Sequence, residues 1–154
     1  MKISILCIGK LGAAPEAALA ANWAKRASQV GRAHGLGPVE IVEVEARRGG
    51  QAAEGETLLR RAEGAFLIAC DEHGEAPTSR AFAGQLGRLR DDGVARLAFL
   101  IGGADGLDAA VLAKAERTLA FGPQTWPHAL ARAMLAEQLF RAASLMAGQP
   151  YHRD

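Results

Sequence analysis

The most constraining stretch of this sequence runs from Arg96 to Arg132. It begins with six residues typical of a buried strand, RLAFLI, and the glycine turn GGADG follows directly. A short helix (LDAAVLAKA), a second short strand (RTLAFG) and the loop PQTWPHALAR come next, and this loop opens the last long helix. Gly102 and Gly103 present main-chain amides with no Cβ beside them, at the sheet edge where open α/β folds bind small ligands. The stretch therefore predicts an α/β fold with a ligand site at this turn.

A second turn follows the second strand of the stretch, at Gly122-Pro123. Two such turns predict a crevice lined by main chain, suited to an uncharged or zwitterionic ligand with a flat base and a carboxylate. We expect a cofactor there. Neither turn matches GxGxxG or the GxxxxGK pattern followed by Ser or Thr, which disfavours a Rossmann dinucleotide site and an NTPase phosphate loop.

The rest of the chain alternates predicted strands with predicted helices. Strands are predicted over residues 2–8, 39–45 and 65–70, and helices over residues 16–33 and 54–63, with a further helix capped by Thr78. This alternation predicts one α/β domain with a mainly parallel sheet of about five strands and helices on both faces. The strand at 39–45 alternates imperfectly, which favours a place near the sheet edge. The strand at 65–70 should deliver Asp71 and its neighbours to the edge that carries the glycine turns.

Composition and charge narrow the class of protein. With 49% hydrophobic and 5% aromatic residues, the core must consist largely of aliphatic side chains. The 18 basic and 17 acidic residues nearly cancel, so no global field attracts nucleic acid or an acidic membrane, and any RNA contact must be local. No run resembles a signal peptide or a membrane span, and we expect a cytoplasmic protein.

The cysteines and histidines do not form a metal-binding pattern. Cys7 and Cys70 each end an apolar run and lack CxxC spacing, so we expect two reduced core thiols. The four histidines show neither HxxxH nor HxH pairing, and we predict no metal site.

The last helix is predicted to begin with Pro127 in its first turn and to end before Gly148. Apolar residues occupy well over half of its circumference. One face of a sheet should not bury so much, so we expect this helix to pack against a partner subunit as well, in a homodimer. His128 and Arg132 lie four residues apart, next to the predicted cofactor loop.

Three motifs together resemble one family. LIGGADGL at residues 100–107, TWPHALARAMLAEQLFRA at 125–142 and QPYHRD at 149–154 closely resemble the RlmH family of SPOUT-class methyltransferases, which act on a pseudouridine in large-subunit ribosomal RNA. The resemblance covers essentially the whole chain. It implies a SPOUT-type fold with a trefoil knot in the carboxyl-terminal half, a homodimer, and S-adenosylmethionine bound by the knot loops.

The same resemblance assigns the cofactor loops to the end of the third strand and to the two glycine turns. Cys70 stands where the family usually has Leu, and Ala104-Asp105 where it more often has Pro-Glu. Main-chain contacts tolerate both changes. The predicted cofactor-binding residues are Cys70, Asp71, Gly102, Gly103, Gly122, Pro123, Gln124, Thr125, Trp126 and Pro127.

The chemistry that the family implies requires a proton acceptor and a cation. The N3 of a pseudouridine is an imide nitrogen, which must lose its proton before it attacks the methyl group. We predict that His152 in the tail accepts the proton and that Arg153 holds the base anion or a phosphate, with Arg132 as the alternative cation. The sequence leaves open whether tail and pocket belong to one protomer or to two. The competing interpretation is a frayed tail with an exposed histidine, and His128 is better read as a structural first-turn residue.

RNA affinity must come from local arginines. The candidates are Arg47 and Arg48 in a basic loop, Arg60 and Arg61, Arg88, Arg90 and the tail. Surface arginines are usually only solvated charge. A nearly neutral protein should bind free RNA poorly, which agrees with the assembled ribosome that the family implies as substrate.

Two other functions compete with this interpretation. One is a ribosome-associated assembly factor that keeps the fold and binds no S-adenosylmethionine. The other is a related knotted methyltransferase that acts on transfer RNA. A nucleotide-binding oxidoreductase is disfavoured because the glycine fingerprint and its acidic partner are missing.

Overall fold

The computed structural model describes residues 1–45 and 50–152. Within these residues, five strands alternate with five α-helices, as predicted, and a short 3₁₀ turn over 32–34 follows the first helix. The strands are β1 (Lys2–Ile8), β2 (Val39–Val44), β3 (Phe66–Glu75), β4 (Arg96–Ile101) and β5 (Arg117–Leu119). The helices are α1 (Pro15–Gly31), α2 (Gln51–Arg61), α3 (Ser79–Asp91), α4 (Ala109–Lys114) and α5 (His128–Met146).

The strands form one parallel sheet in the order β2-β1-β4-β3-β5. This order confirms the predicted α/β class and places β2 at an edge. In the register, Ile101 of β4 pairs with Cys7 of β1 and with Cys70 of β3, and Cys70 also pairs with Leu119 of β5. The carboxyl ends of four strands therefore meet at one edge of the sheet.

Each face of the sheet packs against its own helices. The larger core contains Ile5, Phe99 and Ile101 of the strands together with buried residues of α1, α3 and α5. The smaller core lies on the other face, where Leu6 and Leu100 pack with buried residues of α2 and α4. Helices thus cover both faces, as the alternating sequence predicted. Among the described residues no helix is long and apolar enough to cross a membrane.

The structure gives α5 more partners within its own chain than the sequence suggested. The helix packs against α1, α3 and β4, and the Trp23 and Phe140 rings lie 5.2 Å apart. Pro127 is the residue before the helix, with ψ of 138°, rather than part of its first turn. Much of the apolar surface of α5 is therefore covered within its own chain, and the homodimer stays a prediction.

The ends of several elements differ from the prediction, among them those of β3, α2 and β5, which ends at Leu119 rather than at Gly122. Strand β3 continues beyond Cys70 to Glu75. An irregularity at residues 71–74 interrupts its pairing with β5, and the pairing resumes where Glu75 pairs with Leu119. The sequence does not indicate this extension, because residues 71–74 (DEHG) are polar and lack a strand pattern. Helix α2 begins at Gln51 instead of Glu54, one turn earlier than its apolar pattern indicated.

Arg132 is a structural residue in this fold. Its side chain is 1% exposed, and Nη2 donates to the carbonyls of Ile8 at 2.6 Å and Gly9 at 3.0 Å. Nη1 pairs with Glu43 at 3.1 Å, and Glu43 also accepts the amide of Leu11 at 2.9 Å. Arg132 thus fixes α5 to the ends of β1 and β2. Because the guanidinium is buried and already bonded within the fold, it is poorly placed to contact a substrate. The structure therefore does not favour Arg132 as the alternative catalytic cation.

We predict that Arg132→Met lowers the free energy of unfolding by about 3 kcal/mol or more, because it leaves a partly buried carboxylate and two carbonyls without their donor. Urea denaturation of the purified protein measures this. Arg61→Met, on the exposed side of α2, is the matched control and should change stability by less than about 0.5 kcal/mol. Equal stability of the two variants would contradict the structural role of Arg132.

Candidate functional site

A cavity of about 600 Å³ opens at the carboxyl edge of the sheet. Three chain segments line it: the end of β3, the turn after β4, and the segment from Leu119 to the start of α5. Eight of the predicted cofactor-binding residues are in its wall, namely Cys70, Asp71, Gly102, Gly103, Gln124, Thr125, Trp126 and Pro127. Of the other two, Gly122 lines a second cavity and Pro123 is exposed.

The first glycine turn folds tightly on itself. A Cβ at Gly102 would lie 2.4 Å from both the carbonyl carbon and the oxygen of Gly106. Gly106 has a φ of +73° and donates its amide to the Gly103 carbonyl at 3.1 Å. These contacts require glycine at 102 and favour it at 106. The sequence therefore fixes the turn that forms one wall of the cavity.

The loop before α5 is held by one hydrogen bond within its own segment and by one to the end of β3. Trp126 donates its indole N–H to the Phe121 carbonyl at 3.1 Å, which closes the loop on itself. The Thr125 hydroxyl donates to the carboxylate of Glu72 in the irregular part of β3. Both residues line the cavity, so this hydrogen bond joins its two outer walls.

Acidic side chains dominate the ionisable groups of the wall. Asp71, Glu72 and Asp105 contribute carboxylates, and His128 is the basic residue among the lining residues that the structure describes. Asp71 also accepts the His73 amide at 2.9 Å, which helps to shape the end of β3. The negative charge of this wall favours a ligand with a cationic part and disfavours a phosphate.

The two thiols are protonated and structural. Burial raises the pKa of Cys7 to about 12, and burial also raises the pKa of Cys70 far above its usual value. Both cysteines are free, as predicted, and Cys70 contributes an uncharged wall to the cavity. Within residues 1–45 and 50–152, no three His, Cys, Asp or Glu side chains are grouped to hold a metal ion.

The carboxyl-terminal tail packs on its own helices. The Tyr151 hydroxyl donates to Glu137 at 2.9 Å, and the Tyr151 ring lies 4.7 Å from that of Phe140. Nη1 of Arg141 lies 3.3 Å from Nδ1 of His152. The sequence reasoning missed Glu137 and Arg141, although their spacing of four on one helix predicts an ion pair. Arg153, the other predicted catalytic residue, is outside the described residues.

The described part of this docked tail, up to His152, does not line its own chain's cavity. Ala131 is the last residue of α5 in the wall, and Glu137 and Arg141 follow it by six and ten residues. At the helical rise these separations are roughly 9 and 15 Å along the helix axis. Among the described residues, the structure therefore does not bring His152 together with the predicted cofactor-binding residues.

A second cavity of about 520 Å³ lies beside the first and shares Leu119, Ala120 and Phe121 with it. Its wall is largely apolar and comes from α1, α5 and the start of α3. Leu19 on its rim is 48% exposed.

The predicted RNA-contacting arginines have different surroundings. Arg90 donates to the His34 carbonyl at 2.8 Å and pairs with Asp91, so its charge is partly used within the fold. Arg60, Arg61 and Arg88 are exposed. Arg47 and Arg48 lie outside the described residues, and the RNA-binding role of all these arginines stays a prediction.

Comparison with solved structures supports the fold. A probable methyltransferase from Bordetella pertussis Tohama I superposes with a TM-score of 0.54 at 19% identity, over 92% of this chain and 96% of that one. A probable methylase family protein from Haemophilus influenzae Rd KW20 gives 0.52 at 12% identity, over 99% of this chain and 70% of that one.

Comparison of sequences identifies the family. A family model described as a predicted SPOUT methyltransferase matches residues 1–152. Proteins named ribosomal RNA large subunit methyltransferase H are 66% identical in Caulobacter sp. (strain K31) and 63% identical in Phenylobacterium zucineum (strain HLK1), each over the full length of both chains. The chain belongs to the SPOUT methyltransferase family, within the group of the ribosomal RNA large subunit methyltransferase H (RlmH) proteins.

Proposed function

We propose that this protein is an S-adenosylmethionine-dependent methyltransferase that methylates N3 of a pseudouridine in large-subunit (23S) ribosomal RNA, on the assembled ribosome. One observation carries the proposal: the cavity at the carboxyl edge of the sheet has the main-chain wall expected of the cofactor site, in a chain that is 66% identical to an RlmH protein over its whole length.

The residues of the cavity fit this cofactor. Its volume of about 600 Å³ lies in the range of small-molecule sites. Ile101, Leu107 and Leu119 provide apolar surface for a flat base, while the glycine turn offers main-chain groups. The carboxylates of Asp71 and Glu72 favour the positive charges of an amino acid ammonium and a sulfonium. The bound cofactor would supply an electrophilic methyl group, and the protein must hold the acceptor base in line with it.

The acceptor base needs groups that remove a proton and stabilise negative charge. We assign these roles to His152 and Arg153. Arginine only donates hydrogen bonds, so Nδ1 of His152 must accept from Arg141 in the docked tail. In neutral His152 the proton then lies on Nε2, which leaves no ring nitrogen ready to accept another. The docked tail is therefore a resting arrangement, and His152 must leave Arg141 to act as a base.

A homodimer would bring the tail to a cofactor cavity. The largely apolar second cavity, with Leu19, Leu130 and Met134 in its wall, offers a surface that a second copy of the chain can cover. Since the docked tail lies away from its own cofactor cavity, we propose that the tail of one protomer completes the site of its partner. The carboxyl-terminal trefoil knot that the family resemblance implies is part of the same proposal.

Nucleoside mass spectrometry of a strain that lacks this gene tests the proposed function. We expect N3-methylpseudouridine to disappear from large-subunit ribosomal RNA and to return with the wild-type gene. Loss of a methylated nucleoside from transfer RNA alone would favour the transfer RNA methyltransferase. Unchanged nucleosides in both RNAs would favour the assembly factor.

We predict that His152→Ala and Arg153→Ala each slow methyl transfer to ribosomes by about a hundredfold or more, as the loss of a general base or of a charge stabiliser does. Binding of S-adenosylhomocysteine, measured by calorimetry, should stay within a few fold. Gln149→Ala, an exposed change in the same tail, is the control and should keep full activity. Unchanged turnover in both tail variants would remove the tail from the mechanism.

We also predict that assembled ribosomes or large subunits accept the methyl group far better than an isolated stem-loop of the same RNA. The formal net charge of the protein is only +1, which provides little long-range attraction for naked RNA. Methyl transfer from labelled S-adenosylmethionine to equal concentrations of the two substrates measures the difference. Equal rates on both would contradict the requirement for an assembled surface.

A further inference from the structure

Helix α2 holds the turn after β4 from outside the cavity. Gln51 is the first residue of α2, and its amide nitrogen donates to the Asp105 carbonyl at 2.7 Å and to the Leu107 carbonyl at 3.2 Å. Asp105 and Leu107 line the cofactor cavity, whereas Gln51 lies behind them, outside the described lining. The Gln51 side chain therefore restrains both ends of the segment 105–107, which lines the cavity.

A second contact presses α2 against the same region one turn later. A Cβ at Gly55 would lie 2.5 Å from Oδ1 of Asp108 and 2.9 Å from Cγ2 of Val111. Asp108 begins α4 by accepting the Val111 amide at 2.9 Å. Glycine is unfavourable inside a helix, so its presence here matches a close approach that no other residue permits. Helix α2 is thus fitted to residues 105–108 along its first two turns.

The turn depends on such external support. Its own hydrogen bond, from the Gly106 amide to the Gly103 carbonyl, closes a short loop rich in glycine, which has more conformational freedom than other residues. The Asp105 and Leu107 carbonyls accept hydrogen bonds from Gln51, outside the turn. A loop that must be ordered on binding binds its ligand more weakly than one ordered beforehand.

We propose that Gln51 is a positioning residue for the cofactor: it holds the turn at residues 102–107 in the shape that binds S-adenosylmethionine. The proposal rests on the proposed function, because it takes that cofactor as the ligand of the cavity. Gln51 does not touch the ligand or the reacting atoms. It acts through the Asp105 and Leu107 carbonyls, and its effect falls on cofactor affinity rather than on methyl transfer itself.

The test uses two substitutions that remove the donor. Gln51→Met keeps the length of the side chain, and Gln51→Glu keeps its shape but turns a carboxylate toward two carbonyls. We expect the Kd for S-adenosylhomocysteine, by calorimetry, to rise about tenfold in Gln51→Met and further in Gln51→Glu. The KM for S-adenosylmethionine should rise with it, while kcat at saturating cofactor stays within about twofold.

Two controls separate positioning from general stability. Glu56→Gln changes the exposed side of the same helix and should leave the Kd, the KM and the Tm unchanged. Gln51→Lys retains a hydrogen-bond donor, so it should recover most of the cofactor affinity that Gln51→Met loses. A contact that only stabilises the fold would not require this recovery. Each variant's Tm is measured beside its Kd.

The outcomes distinguish this inference from the proposed function. If the wild-type protein binds S-adenosylhomocysteine and both donor-deleting variants bind it equally well, Gln51 is not a positioning residue, whether or not their Tm falls. A kcat that falls at saturating cofactor while the Kd stays constant would also overturn it. If the wild-type protein itself fails to bind, the proposed function fails, and the inference fails with it.

Discussion

The contact between Gly102 and the backbone of Gly106 is the constraint on which the site depends. Strand β4 lies in the middle of the sheet and is buried over Leu97–Ile101, so the chain leaves the core at a fixed point and direction. Because Gly102 has no Cβ, the turn can close at once onto Gly106, within a distance that any side chain would prevent. The end of β3, which pairs with β4, and the segment after β5, which pairs with β3, form the other two walls of the cavity.

The sequence predicted the central parts of this arrangement well. Strand β4 has the predicted bounds, because a continuous apolar run between charged residues and glycine leaves little choice. The order of elements and the burial of both faces also followed from alternation. The extension of β3 through Asp71 to Glu75 could not be predicted, since it depends on pairing with a strand more than forty residues away rather than on local pattern.

Two polar residues show the limit of sequence reasoning more sharply. Arg132 looked like a free cation near the cofactor loop, yet its partners Ile8 and Gly9 are separated from it by 124 and 123 positions in the chain. Gln51 precedes the predicted start of its helix at Glu54, and its carbonyl partners are 54 and 56 positions away. Hydrogen bonds of this kind leave no periodic signal in the sequence. They also decide which charges remain available for chemistry.

The most direct test of the account is calorimetric titration of S-adenosylhomocysteine into the wild-type protein and into Gly102→Ala, with the Tm of each measured in parallel. We predict one binding event for the wild type, lost or weakened by at least about a hundredfold in Gly102→Ala, because the added methyl group must displace the Gly106 backbone that lies 2.4 Å away. Binding of equal strength to both proteins would contradict the claim that this turn forms the cofactor site.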